Sequence, residues 1–317
     1  MVHYVLNEVD PSVEAAYSFI QELGLVQESD RVDRMTYTPE DADTSRRIPL
    51  NEVDNFVQRY ANIGRDDDLL VVLNGSGDHH HHTYGVCRGI VEQDGEEYTV
   101  IHFDHHGDSR VPQGFLDCGN YLGELVKGSE LARKGIIIGA GSMVGTDGWN
   151  DYNSFWFDPK ALEAGLEVYP YTKGTASLYG VSSEPDVDCV DSTFIESCSS
   201  FGAEWHTIKD RGIEAIAARA MERTDTEDVY ITVDLDVLTA EYATTDWGNG
   251  DMSLPELLEA VASIEDARNV VGLDINGTDG EGDERTLYTI AAIVNEVTGG
   301  PYDRSFFYER IAACEPE

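Results

Sequence analysis

The sequence predicts an α/β fold with a mainly parallel β-sheet, and three observations lead to this prediction. Short apolar segments of strand length recur along the chain, and segments with the spacing of an amphipathic helix lie between several of them. Residues 135–138 (Gly-Ile-Ile-Ile) are of the kind that forms a strand buried on both faces of a sheet. Strands that alternate with helices are joined by crossover connections and therefore lie parallel.

The individual elements follow from the same patterns. Apolar runs predict strands at residues 69–74, 98–104, 135–141, 229–236 and 270–275. Helical spacing predicts helices at residues 51–63, 121–133, 212–223, 255–264 and 286–297. Residues 142–191 are aromatic and rich in Gly and Asn with weak periodicity, so we expect long loops there. No linker or break in composition divides the chain, and residues 1–317 are predicted to form one domain.

The composition restricts the class of protein. The 317 residues include 21 Lys+Arg and 61 Asp+Glu, which gives a net charge of −40. Nucleic-acid binding is excluded as the main role, because phosphate contacts need clustered basic residues. A hydrophobic content of 41% is sufficient for a large core, so the charge does not indicate disorder. A strongly acidic surface with few lysines is typical of a protein that works in molar salt, and we predict a halophilic protein; an ordinary acidic enzyme is the alternative.

The cellular setting is predicted from three further features. The 5 cysteines are irregularly spaced and form no Cys-x-x-Cys pair, so we expect reduced thiols. The first residues lack the pattern of a signal peptide. No window approaches the roughly 20 apolar residues that a membrane span needs. We therefore expect a soluble, cytoplasmic protein that has neither a membrane nor a nucleic acid as a partner.

Residues that can bind metals concentrate in three segments, each at the carboxyl end of a predicted strand, where open α/β sheets place their sites. Asp104, His106 and Asp108 alternate, so an extended chain can point all three to one side. Asp234 and Asp236 repeat this spacing after another apolar strand, and buried carboxylates side by side repel unless cations bind them. The third segment carries four consecutive histidines, 79–82.

The chemistry of these segments favours a metal site. An oxygen-rich, cysteine-free set with a few imidazoles suits Mn²⁺, and Ni²⁺, Co²⁺ or Zn²⁺ would compete with it. The number of ligands exceeds what one ion needs, which makes two ions plausible. Each segment alone also has a structural explanation, namely a turn with a buried histidine, a helix cap or a solvated histidine loop. All three together at strand ends favour the metal site.

The same residues carry a resemblance to a known family: Gly77-Asp-His79, Asp104-His-His106-Gly-Asp108 and Asp234-Leu-Asp236-Val-Leu. In this order and at these separations they resemble the ureohydrolase superfamily of arginases, agmatinases and formiminoglutamases. The resemblance covers residues 69–297, with poor correspondence at 142–202. It implies a three-layer α/β/α sandwich, a binuclear manganese centre with two Mn²⁺ per chain, a small guanidino or amidino substrate, and a homo-oligomer that is a trimer or a hexamer.

The resemblance also implies roles for individual residues. One ion would be bound by His79, Asp104, Asp108 and Asp234, and the other by Asp104, His106, Asp234 and Asp236. For the first histidine His80 is the alternative, because one extra residue lies in this segment. The catalytic residues would be Asp104, His106 and Asp108. The metals would lower the pKa of a bridging water to give a hydroxide, and Asp108 would pass its proton to the leaving amine.

Two departures from the family pattern concern the substrate. The family's last core strand usually ends in Asp-x-x-Glu, in which the Glu binds a cationic group, but this chain has Gly277 at that place. We predict that Asp279 binds the substrate instead, with Glu281 or Asp283 as alternatives, and that Glu at position 277 would raise the turnover of simple guanidines. The histidine that shuttles protons in arginases is replaced by Leu122.

Other polar residues are available where that histidine is missing. Asn120, two positions earlier, is predicted to contact the substrate. His102, His105 and His206 are candidates for the lost base, although a single histidine is more often structural.

The sequence thus predicts a ureohydrolase-type enzyme that cleaves a linear C–N bond in a guanidino or amidino compound. Free arginine is disfavoured as a substrate by both departures, whereas agmatinase-like, guanidino-acid and modified-peptide substrates remain open. One alternative is a metal-dependent amide hydrolase of the deacetylase type. Another is a non-catalytic relative that retains metal and acts by binding.

Overall fold

The structure is a computed structural model that describes residues 1–8, 10–36, 46–64, 69–141, 155–171, 176–178, 207–280 and 282–314. The strands in these ranges are β1 Val2–Glu8, β2 Arg31–Thr36, β3 Ile48–Pro49, β4 Leu69–Gly75, β5 Tyr98–Phe103, β6 Phe115–Leu116, β7 Ala132–Ile138, β8 Phe155–Phe157, β9 Leu166–Tyr169, β10 Ala176–Leu178, β11 Asp228–Asp234 and β12 Asn269–Asn276. The α-helices are α1 Pro11–Glu22, α2 Val53–Ala61, α3 His82–Gly89, α4 Tyr121–Gly128, α5 Pro159–Glu163, α6 Ile208–Arg211, α7 Ile213–Arg223, α8 Leu254–Ala267, α9 Glu284–Val297 and α10 Arg304–Ala313.

The centre of the fold is a sheet of 8 strands in the order β2-β1-β4-β12-β11-β5-β7-β9. Every neighbouring pair in this sheet is parallel. The strands form because their side chains are buried on both faces; β4 (Leu-Leu-Val-Val-Leu-Asn-Gly) is buried at all positions after its first. The α/β fold with a mainly parallel sheet, predicted from alternating apolar and helical segments, is thereby confirmed.

Two hydrophobic clusters, one on each face of the sheet, give the fold its three layers. Successive side chains of β4 alternate between them: Val71 and Leu73 belong to one cluster and Leu70 and Val72 to the other. Helices α1, α7, α8, α9 and α10 cover the first face, and α2, α3, α4 and α5 cover the second. No helix in the described ranges is long and apolar enough to cross a membrane.

The predicted strands all occur in the structure, but several elements were not predicted. The unpredicted elements of the central sheet and of its helices are β1, β2, β9, α1, α3, α5, α6 and α10. The expectation of long loops at residues 142–191 is wrong in part, because α5 and β9 lie there and β9 pairs with β7. Strand β9 has 4 residues at the edge of the sheet, too few to show a periodic pattern.

Candidate metal centre

The register of the sheet brings the predicted site residues together at one edge. In the pairing of β5 with β11, Phe103 lies opposite Val233, so Asp104 and Asp234 leave the sheet side by side. Strand β4 ends two strands away, and the turn that follows it supplies the histidines. Because parallel strands all end at the same edge, residues far apart in sequence meet there.

Four buried side chains surround the ring of His80. Its Nδ1 atom lies 3.4 Å from Asp104 Oδ2, 3.2 Å from Asp108 Oδ2 and 3.3 Å from Asp234 Oδ2. The Nε2 atom of His102 lies 2.8 Å from the same Asp104 oxygen. One nitrogen thus faces three carboxylates at distances that leave room for a shared cation.

A second cluster borders the first and shares Asp104 with it. His106 Nδ1 lies 2.8 Å from Asp236 Oδ2 and 3.5 Å from Asp104 Oδ1. Asp104 therefore presents Oδ2 to the first cluster and Oδ1 to the second. His106 is partly exposed, so the second cluster is the one that borders solvent.

The donor atoms of both clusters fit metal ions. Ligand atoms of His80, His102, Asp104 and Asp108 lie within 4.8 Å of one another, and so do those of Asp104, His106 and Asp236. Among the described residues, buried His80 Nδ1, Asp108 Oδ2 and Asp236 Oδ2 have no hydrogen-bond partner, although nitrogen and oxygen atoms lie close to them. Buried polar atoms without a partner are costly, and one cation in each cluster would satisfy them.

The pKa values show the same excess of negative charge. Burial, and then a neighbouring carboxylate, raises the pKa of Asp108, Asp234 and Asp236 to about 6. Burial acts against ionisation of Asp104 as well, but the surrounding histidines outweigh it and hold its pKa well below the usual range. The clusters therefore stabilise positive charge, whether it is carried by protons or by metal ions.

A buried hydrogen-bond chain determines which nitrogen of His80 faces the carboxylates. Thr232 Oγ1 donates to Asp274 Oδ1 at 2.6 Å and lies 2.9 Å from His80 Nε2. The Thr232 hydroxyl gives its only proton to Asp274, so it can accept the N–H of His80 Nε2, and the Tyr121 hydroxyl also lies 2.9 Å from this nitrogen. With a metal bound, Nδ1 would then carry the lone pair that a ligand requires.

Asp108 is held in a backbone conformation that L-residues seldom adopt. Its φ of 39° makes it the one non-glycine residue with positive φ in the described ranges. The first turn of α4 fixes this conformation, because the amides of Leu122 and Gly123 donate to the Asp108 carbonyl at 3.0 and 3.3 Å. A Cβ atom at position 123 would lie 3.0 Å from Ser109 Cα, so glycine lets α4 approach this closely.

The two histidines considered for the first ligand position are placed differently. The residues Gly77–His79 form a 3₁₀ turn after β4, and its steep rotation per residue points consecutive side chains in different directions. His80 faces the carboxylates, whereas His79 lies beside the rings of His81 and His82, with centroids at 6.4 and 5.6 Å. The four-histidine sequence alone gave no means of fixing this register.

The predicted substrate residues are not gathered at the clusters. The Asn120 side chain accepts from the amide of Asp117 at 3.2 Å and donates to the Phe115 carbonyl at 3.1 Å, which braces the loop before α4. Asp279 is exposed, and Asp283 caps the N-terminus of α9.

Position 277 has no room for a side chain. A Cβ atom there would lie 2.1 Å from Asp234 Oδ1, and Gly277 has a φ of +93°. The backbone passes so close to a site carboxylate that only glycine fits.

The histidines predicted as candidates for the lost base differ in their surroundings. His102 is buried against Asp104, and its Nδ1 lies 3.0 Å from the Tyr121 hydroxyl. His105 lies against Gly141, and burial lowers its pKa to about 4. His206 lies outside the described residues. The hydrogen bond between Thr232 and Asp274 was not predicted. The sequence does carry a signal for it, because each residue lies two positions before another polar residue of its strand, Asp234 or Asn276, and so lies on the same face.

Comparison with known proteins agrees with this geometry. The family model described as Arginase family matches residues 20–299. No curated protein matches the chain significantly.

Several solved structures share the fold. A hypothetical agmatinase from Burkholderia thailandensis is 17% identical over 94% of this chain and 84% of its own, with a TM-score of 0.62. Formimidoylglutamase from Bacillus subtilis is 17% identical over 95% of this chain and 87% of its own, with a TM-score of 0.58. Arginase from Bacillus caldovelox is 15% identical over 95% of this chain and 99% of its own, with a TM-score of 0.59. The chain therefore belongs to the arginase family.

Proposed function

We propose that this protein is a two-metal hydrolase that cleaves a linear C–N bond in a guanidino or amidino compound. The observation that carries the proposal is the position of Asp104, whose two carboxylate oxygens face two adjoining clusters of potential ligands. A carboxylate used in this way is suited to hold two ions next to each other. Membership of the arginase family supports the same reaction class.

The proposed ligand set follows the clusters. One ion would be held by His80, Asp104, Asp108 and Asp234, and the other by Asp104, His106 and Asp236, to which the family resemblance adds Asp234. His80 takes the place predicted for His79. The oxygen-rich donor set suits Mn²⁺, and Ni²⁺, Co²⁺ or Zn²⁺ would compete with it.

The catalytic roles that we propose for individual side chains follow from their positions. When bound, the ions would supply the Lewis acidity that makes water a nucleophile near neutral pH. Asp108 would bind an ion through Oδ2, and its other carboxylate oxygen would accept the proton of that water and deliver it to the departing nitrogen. His102 and Thr232 would hold Asp104 and His80 in place.

The proposal is tested by product formation. Mn²⁺-loaded protein in molar KCl would be incubated with agmatine, arginine, guanidinobutyrate, guanidinopropionate, formiminoglutamate and an arginine-containing peptide. Urea, ammonia and formamide would be followed, with bound metal counted in the same sample. Release of one of these products with about two ions per chain is the expected result. Full metal occupancy without any product would refute the proposed reaction.

An amide hydrolase of the deacetylase type is the second candidate. The observation in its favour is the absence of a carboxylate at position 277, where the chain leaves no room for one. Release of acetate from acetylated amines, with no urea or ammonia from the guanidino compounds, would select this reaction.

Replacing Thr232 with valine should weaken the first metal position. The change keeps the shape of the side chain but removes one of the two hydroxyl oxygens that lie 2.9 Å from His80 Nε2, the other being that of Tyr121. Loss of such a supporting hydrogen bond typically weakens metal affinity by about tenfold or more, and titration with Mn²⁺ measures it. Thr99→Val is the control, since Thr99 is a buried threonine bonded to Thr226 at the other end of β5. Equal affinity in both variants would show that Thr232 does not fix the tautomer.

Metal binding should weaken as the pH falls below about 6. The raised pKa values of Asp108, Asp234 and Asp236 mean that protons occupy these carboxyl groups below that value, so an ion must displace them. Bound metal should therefore stabilise the folded protein above about pH 6, and this stabilisation should be lost as the pH falls below the pKa values of these carboxyl groups. Thermal unfolding with and without Mn²⁺ at pH 5 and pH 7.5 gives the difference at each pH. An equal rise in Tm at both would contradict the prediction.

High salt should stabilise the protein. The net charge of −40 makes the folded chain repel itself, and molar KCl screens this repulsion. We expect a clearly higher Tm in 2 M than in 0.1 M KCl at fixed metal concentration. Equal Tm values would show that the acidic composition is not an adaptation to salt.

A further inference from the structure

We infer that Asp246 and Trp247 form the cation-binding part of the substrate site, and that the substrate presents a planar guanidinium or amidinium group there. The inference rests on the proposed function, because it concerns the same site. It assigns the recognition of positive charge to the loop between β11 and α8. No substrate-binding residue was predicted in this loop from the sequence.

Asp246 and Trp247 both lie beside Gly77, in the turn after β4. A Cβ atom on Gly77 would lie 3.2 Å from Asp246 Oδ1, 3.2 Å from Asp234 Oδ2 and 3.0 Å from Trp247 Cδ1. The Asp246 and Asp234 oxygens are thus separated by no more than twice that distance. The loop brings a carboxylate and an indole to the side of a proposed metal ligand.

The carboxylate of Asp246 is oriented but still accessible. The Ser76 hydroxyl donates to Oδ2, and the Gly77 amide donates to Oδ1 at 3.3 Å. Both donors come from the turn that carries His80, which ties Asp246 to the metal centre. Asp246 itself is exposed, unlike buried Asp234, so its remaining lone pairs can accept N–H groups from a ligand.

Trp247 adds an aromatic surface beside the second cluster. It is 43% exposed, and its ring meets that of His106 edge-on, with centroids 6.3 Å apart. A planar, weakly hydrated cation stacks on an indole better than an ammonium ion does. A guanidinium that donates to Asp246 and stacks on Trp247 would lie next to the carboxylates that hold the metals.

Two other positions near this edge are less suitable for binding a cation. Asp283 uses its side chain to cap α9 and to bind Thr244. Glu cannot be accommodated at position 277. Asp246 therefore supplies a carboxylate outside the metal clusters that nevertheless lies beside them.

The test uses guanidinium and urea as probes, which are planar molecules of similar size but different charge. Mn²⁺-loaded protein in molar KCl is titrated with millimolar guanidinium chloride or urea, and binding is followed by calorimetry and by the Mn²⁺ electron paramagnetic resonance spectrum. Asp246→Asn should weaken guanidinium binding by about tenfold or more, and Trp247→Leu by about fivefold. Urea binding and metal content should not change.

The matched control removes a carboxylate elsewhere. Asp225 lies before β11 at the opposite edge of the sheet, and its exposed carboxylate is 3.8 Å from Lys134. The control variant is Asp225→Asn. This variant should bind guanidinium like the unchanged protein. If Asp246→Asn also binds guanidinium like the unchanged protein, or if it loses metal, the assignment is overturned.

The outcomes separate the inference from the proposed reaction. If Asp246→Asn loses guanidinium binding but no guanidino or amidino compound is cleaved by the unchanged protein, recognition stands and the reaction fails. If a cationic substrate is cleaved and Asp246→Asn leaves its KM unchanged, the reaction stands and the recognition fails. A raised KM with little change in kcat supports both.

Discussion

Replacing Asp104 with alanine is expected to remove both metal ions and to lower activity by roughly a thousandfold or more, because the metals supply several kcal/mol of catalysis. Asp104 is the residue whose oxygens face both clusters, Oδ2 toward His80 and Oδ1 toward His106. Metal content by mass spectrometry and product release measure the two effects. The fold should persist, since the side chain lies at the edge of the sheet and not in either hydrophobic cluster.

Asp236→Ala is the matched comparison for this change. Asp236 contacts His106 but is not part of the cluster around His80, so its loss should remove one ion and leave the other. Metal counts near zero for the Asp104 variant and near one for the Asp236 variant would agree with a shared carboxylate. Two ions bound by the Asp104 variant would refute the proposed centre.

Replacing Gly277 with glutamate is expected to unfold or severely destabilise the protein and not to improve the turnover of guanidines. The new Cβ atom would overlap Asp234 Oδ1, and the φ of +93° disfavours any side chain. Thermal unfolding and metal content would both fall, because Asp234 would have to move. The structure therefore reverses the expectation that came from the sequence at this position.

Gly280→Ala separates the two causes of this damage. Gly280 also has positive φ, at +58°, but a Cβ atom there meets nothing within 4 Å. It should cost only about 1 kcal/mol of unfolding free energy, the usual strain of a left-handed L-residue. A stable Gly277→Glu variant with faster guanidine turnover would show that the end of β12 can move to admit a carboxylate.

The site residues that lie at the ends of strands or directly after them could be predicted from the sequence. Alternating Asp104, His106 and Asp108 after one apolar run, and Asp234 and Asp236 after another, are strand-end patterns, and parallel strands bring such ends together. The pattern was informative because the strand ends meet at one edge of the sheet, although the extended chain expected from Asp104 to Asp108 does not form: β5 ends at Phe103 and Asp108 has a φ of 39°.

The contacts made by residues in turns and loops could not be predicted from the sequence in this way. Whether His79 or His80 faces the carboxylates depends on a 3₁₀ turn of three residues, Gly77–His79, which leaves no periodic signal. Asp246 meets Gly77 across a separation of 169 residues, and nothing in the loop sequence announces that contact. Short edge strands such as β9 were missed for the same reason, since too few residues repeat.

The loop between β11 and α8 has a consequence for how enzymes with this architecture can diverge. The proposed metal ligands lie at strand ends and in the turns directly after them, where burial and sheet register leave little freedom. Asp246 and Trp247 lie on an exposed loop that joins two fixed elements. Mutations in that loop could exchange one substrate for another while the reaction centre is inherited unchanged, so libraries confined to residues 239–251 are the natural starting point for redirecting this protein to new amidines.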